Sequence, residues 1–124
     1  MNVFLWVAAA VLAVAALGAG LLKLSTSKDA LVAKGMGWAA DYSASSVRGI
    51  GALEVVGAIG LILPGLLHIA PVLVPIAAVG VAVVMAGAVV VHLRRKEFPG
   101  ALPALVLLIL ALFVAWGRFG AWAF

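Results

Sequence analysis

The chain has no cysteine, which excludes disulfides, thiolate nucleophiles and cysteine-ligated zinc or iron–sulfur centres of its own. Charge is scarce as well. Only 10% of the 124 residues are Asp, Glu, Lys or Arg, whereas a water-soluble domain carries about 25%, so there is too little polar surface to coat a soluble globule. The net charge of +4 is not the footprint of a nucleic-acid binder, because the basic residues flank apolar runs, where such residues set membrane topology. A basic leader is missing too. MNVFLWVAAAVLAVAALGAG has no positive n-region and an apolar run longer than that of a signal peptide, so it is expected to be a first span and not a removed segment. There is no glycine-rich dinucleotide loop between a strand and a helix and no c-type haem attachment motif. The two histidines, His68 and His92, fall at opposite ends of the apolar runs, which rules out a haem clasped between them in one layer. No metal site is expected, and no cofactor is encoded.

What is present is apolar: 68% of the residues are hydrophobic and the mean hydropathy is +1.36. Four runs, Val3–Leu22, Ile50–Leu67, Val72–Val91 and Ala101–Gly117, each cover about 25–30 Å as helix, one hydrocarbon core. They are too long, and alternate too little, for barrel strands. The expected fold is an all-α membrane protein, a four-transmembrane-helix bundle with an interfacial segment between helices 1 and 2. The spans lie at about 3–22, 50–67, 72–93 and 101–118 of a single domain covering 1–124.

The connections differ. PGLLHIAP is a short turn after the second run, and HLRRKEFPG leads into the fourth, with prolines near helix starts where a missing N–H costs little. The first connection, Lys23 to Val47, is too long to be structureless in a compact protein. Ser27, then KDALVAK and Gly35, spell a capped short helix. Trp38 and Tyr42 are expected at headgroup level, with Ser43 or Ser45 capping the second span. Lys23, Lys28, Lys34 and Arg48 fall in the first connection and Arg94, Arg95 and Lys96 in the third, against Arg118 alone on the other side. The positive-inside rule then places both termini outside and these two connections in the cytoplasm.

That topology sorts the polar residues by depth. Glu54 lies one to two turns inside the cytoplasmic boundary, and Lys23, His92 and Asp41 share its side, so the four are expected in one polar layer. Arg118 is roughly 20 Å away across the bilayer, which disfavours pairing with Glu54. Gly51, Gly57 and Ala58 surround Glu54 on its helix; Met85, Ala88 and Val89 share the face of His92; Ala104, Ala111 and Ala115 lie behind Arg118. Small residues mark close helix contact, so these polar groups face the bundle interior. An acid inside a span points to function by default. The catalytic candidates are Glu54, His92 and Asp41, and the ligand-binding candidates are Lys23, Glu54, Met85, His92 and Arg118. The plainer alternatives are an interhelical post for Glu54, a snorkelling Lys23, a capping Asp41 and an interfacial anchor for Arg118.

GLLKL (Gly20–Leu24), IGALEVVGAIGLILPG (Ile50–Gly65), AAVGVAVVMAGAVVVHLRRKE (Ala77–Glu97) and LALFVAWGRF (Leu110–Phe119) touch all four spans. Through these blocks, and through Lys23, Glu54, His92, Glu97 and Arg118 within them, the sequence resembles the DoxX-like family of small four-helix membrane proteins. The resemblance implies a multi-pass protein of a bacterial plasma membrane. It also implies a link to membrane redox chemistry, since named members include the membrane subunit of a thiosulfate:quinone oxidoreductase and components of oxidative-stress complexes. Kinship of fold does not transfer an activity. The expected partners are the lipid bilayer, a lipophilic small molecule such as a quinone, and a membrane or soluble redox partner; a homo-oligomer is allowed, and nucleic acid is not expected. Three functions stay open. One is binding of a quinone or other lipophile within a redox system. The second is a membrane-embedded acid/base enzyme (isomerase, cyclase or epoxide-opening) with Glu54 as proton donor and Asp41 or His92 as base. The third is a non-catalytic scaffold or assembly factor.

Overall fold

The computed structural model describes residues 1–124. Four long helices, α1 (Asn2–Ser25), α3 (Ala44–Leu67), α4 (Leu73–Arg94) and α5 (Phe98–Phe119), are joined by a first connection that holds a short helix, α2 (Lys28–Ala33), and a 3-10 turn, Gly37–Asp41. No strand is present. Each long helix is apolar and long enough to cross a bilayer. Their outer faces expose large side chains such as Phe4, Val14, Val56, Val83, Leu102 and Trp116, a surface that lipid solvates and water does not. Four such helices make the chain a multi-pass integral membrane protein.

The helices form a ring in chain order. The most extensive packing joins α4 to α5 and α1 to α3, α3 and α4 share a smaller interface, and α1 closes the ring against α5 by the thinnest one. The core is built from small and medium side chains, among them Ala8, Leu12, Ala16, Ala58, Leu61, Ala78 and Ala111. Close approach depends on glycine at two places. A Cβ on Gly20 of α1 would lie 2.6 Å from the Gly51 carbonyl oxygen of α3, and one on Gly51 would lie 2.8 Å from Lys23 Cβ. These backbones therefore touch where only hydrogen fits between them.

The caps follow the sequence signals. Ser27 Oγ accepts from the Ala30 N–H at the start of α2, and Ser43 Oγ accepts from the Ser46 N–H at the start of α3. α2 ends at Gly35, whose φ is 100°, with Met36 N–H donating to Leu31 O and Gly35 N–H to Val32 O, a Schellman closure. α3 begins at Ala44, almost two turns before the apolar run at Ile50, because the polar stretch ASSVR continues the helix beyond the hydrophobic part. The first connection has a small core of its own. Leu31, Ala39 and Val47 are buried together, with Leu22, Met36 and Trp38 against them.

Candidate functional site

The Gly20–Gly51 contact sets Lys23 of α1 directly against Gly51 of α3, from where its side chain reaches one turn along α3 to Glu54. Lys23 Nζ donates to Glu54 Oε1 at 2.7 Å. The two residues retain 7% and 2% of their accessible surface, so this is a buried ion pair and Lys23 does not snorkel. Its other oxygen, Glu54 Oε2, is buried with no hydrogen-bond partner. Removing ions from water is costly, and an incompletely satisfied buried pair is seldom a pure stability device.

The pair lines a cavity of about 550 Å³ at the Lys23 end of the bundle, within the usual size of small-molecule sites, about 300–1,000 Å³. α4 contributes Met85, Ala88 and His92, α5 contributes Pro103 and Leu107, and the first connection contributes Met36, Trp38 and Tyr42. The walls are mostly apolar and aromatic, and the polar groups are few. Trp38 and Tyr42 meet edge to face at 5.9 Å between centroids, and Lys23 Nζ stands 5.8 Å from the Trp38 ring centre, at the outer reach of a cation–π contact. His92 Nδ1 is buried and lacks a hydrogen-bond partner; Glu97 Oε1 is 3.4 Å away.

A family model matches residues 7–114, and its description is the DoxX-like family. The chain belongs to the DoxX-like family. No curated protein and no solved structure matches it.

Within this DoxX-like bundle, Lys23, Glu54, Met85 and His92 share one cavity, whereas two expected members do not join them. Asp41 turns outward, where its Oδ2 accepts from Arg95 Nη1 at 2.6 Å. Arg95 reaches it from the α4–α5 connection, and the Asp41 side chain stays largely exposed. Arg118 lies at the opposite end of the bundle. Its Nη1 donates to Asn2 Oδ1 at 2.7 Å and to the Trp122 carbonyl at 2.8 Å, with the Phe124 and Trp6 rings 4.0 and 5.6 Å from its guanidinium carbon. These contacts hold the N- and C-terminal segments together, and no cavity-lining residue is among them.

Trp38, Tyr42 and Glu97 were not singled out as site residues by their sequence. The two aromatics have the amphipathic character of interfacial anchors, and only the fold of the first connection swings them over the cavity. Glu97 carried a weak signal: it follows His92 by five residues at a helix end, the spacing that a Schellman closure folds back. A second hollow, about 370 Å³ along the thin α1–α5 seam, is lined only by apolar side chains such as Phe4, Val11 and Phe113. It has no polar group to orient a ligand and belongs to the lipid-facing surface.

Proposed function

We propose that this DoxX-like protein binds a lipophilic small molecule with a polar ring head, of the quinone class, as a membrane component of a redox system. The observation that carries this reading is the cavity between Lys23, Glu54 and His92: apolar and aromatic walls converge on a buried ion pair that keeps one unpartnered oxygen. A lipophile's ring fits against Trp38 and Met85, with a carbonyl oxygen accepting from the Lys23 ammonium and a hydroxyl group donating to Glu54 Oε2 or to the His92 imidazole. Few, convergent polar groups in an apolar hollow are the usual design of a small-molecule site. In this reading the chain's part is to hold and orient the ring, and electrons are exchanged with a redox partner.

Native mass spectrometry and solvent extraction of protein purified in mild detergent test the reading. A stoichiometric isoprenoid quinone or comparable lipophile is expected, displaced by added short-chain quinone and lost in Glu54→Leu. A protein that is ligand-free on isolation and takes up no quinone would overturn it. The acid/base reading rests on the same unpartnered Glu54 oxygen, but Asp41 is outside the cavity, so His92 is the one complementary base left to it.

A further inference from the structure

The α4–α5 connection uses its backbone to bring Glu97 to His92. Lys96 adopts a left-handed conformation at φ 58°. The Glu97 N–H then donates to the His92 carbonyl at 2.8 Å and the Lys96 N–H to Leu93 O at 3.0 Å, a Schellman closure built without glycine. A non-glycine residue at positive φ is costly, and such strain persists where the surrounding structure demands it. Here the turn folds the Glu97 carboxylate back onto the imidazole of the residue that begins the motif. Arg95 Nε holds Glu97 Oε1 at 3.1 Å while its Nη1 holds Asp41. Gly100 makes room for the ring, since a Cβ there would lie 2.9 Å from His92 Nδ1.

We propose that Glu97 is a positioning residue that fixes the tautomer of His92, so that the cavity selects the hydroxyl-bearing, reduced form of its ligand: a lipophilic hydroquinone or similar diphenol. This rests on the reading of the cavity as a lipophile site. A carboxylate facing Nδ1 holds the proton of the neutral ring there, which leaves Nε2 as its acceptor. The 3.4 Å separation is long for a hydrogen bond, yet at that distance the carboxylate's charge still favours the proton on Nδ1 before any ligand binds. The cavity then offers two acceptors, His92 Nε2 and Glu54 Oε2. A diphenol brings two O–H donors; a quinone brings two acceptors and can satisfy neither. Lys23 and Glu54 across the cavity, Tyr42 from the first connection, and Glu97 and Arg95 behind the ring are the titratable groups around His92. Glu97 keeps 36% of its side-chain surface exposed, so it also gives the ring an outlet to water. A ligand O–H proton passes to Nε2, the Nδ1 proton passes to the Glu97 carboxylate, and Glu97 releases it to water, leaving the ligand oxyanion against the new Nε2–H of His92.

Only His68 and His92 contribute imidazole signals, so 15N-histidine NMR reads the tautomer without any ligand, with His68→Gln assigning the peaks. In the wild-type protein at a pH where the ring is neutral, His92 is expected as the Nδ1–H form; an Nε2–H form overturns the proposal. Glu97→Ala is expected to move His92 to Nε2–H, and an unchanged tautomer in the folded variant also overturns it. If Glu97→Ala does not fold, the wild-type spectrum decides alone. The second arm uses ubiquinol-1 and ubiquinone-1 as probes. Glu97→Ala should weaken the quinol about tenfold, the worth of one lost hydrogen bond, and leave the quinone within about twofold. Equal changes for both probes overturn the selectivity. Failure of the wild type to bind either probe removes the lipophile-site reading and with it the selectivity, whereas the tautomer result stands separately.

Discussion

Replacing Lys23 by Met tests whether the buried ion pair is matched from both sides or strained toward one. Lys23 is two residues from the end of α1, whereas Glu54 is ten residues into α3, about 15 Å from that helix's start. If Glu54 is removed, the Lys23 side chain can extend its four-carbon stem to the interface and keep its charge in water. If Lys23 is removed, Glu54 has no such route. Lys23→Met should therefore cost about 3–5 kcal/mol, the usual penalty for leaving one buried charge unpaired. Glu54→Leu should cost about 1 kcal/mol or less, since the surviving lysine relocates. The double variant removes both charges and should return to within about 1 kcal/mol of the wild type, as apolar replacements of buried pairs do. The assay is reversible unfolding in mixed micelles by SDS titration, followed by circular dichroism. Equal losses from the two single changes, or a double variant worse than Lys23→Met alone, would refute the reasoning. Ligand binding should be lost in all three variants, so stability and function separate in the double.

Three further outcomes are expected. Gly51→Val should destabilise the protein by about 1–3 kcal/mol, the range for overpacking, and should also abolish quinone binding by pushing Lys23 off Glu54; wild-type affinity in this variant would contradict the placement of the pair by the helix contact. Arg118→Lys should cost about 1–2 kcal/mol in the same SDS titration, because an ammonium lacks the planar guanidinium that lies against the Phe124 and Trp6 rings, yet leave affinity in the cavity within about twofold; a larger affinity loss would put Arg118 back in the site. Asp41→Cys with Arg95→Cys, joined by a short bis-maleimide that meets no other thiol in this chain, should slow exchange of bound ubiquinone-1 at least tenfold by pinning the Trp38 segment over the cavity, and exchange as fast as before cross-linking would show that the ligand takes another path.

The spans, the caps and the depth of each polar residue were legible because they depend on local properties: run length, a serine before a helix, and rise per residue. Depth brought Lys23, Glu54 and His92 to one layer. It could not give azimuth or competition. Asp41 turns away, because Arg95, distant in sequence, reaches it from outside the bundle. Hydropathy registers only the apolar part of α3 and passes over the polar helical stretch Ala44–Gly49, whose start the expected serine cap, Ser43, marks instead. Trp38 and Tyr42 looked like lipid-interface residues because an aromatic ring with a polar edge suits a headgroup layer and a ligand cavity equally well. Glu97 depended on a left-handed lysine, which no propensity favours.

The two ends of the bundle are unlike. At one end Arg118 is sealed between Asn2, Trp122, Trp6 and Phe124; at the other the helices part around a cavity beneath a separately packed segment. The molecule thus has the form of a cup: its base is stapled by its own two terminal segments, and the cavity sits at the opposite rim. The two ends therefore differ in how they yield to change, since loosening the base would part the termini and leave the Lys23–Glu54 pair in place.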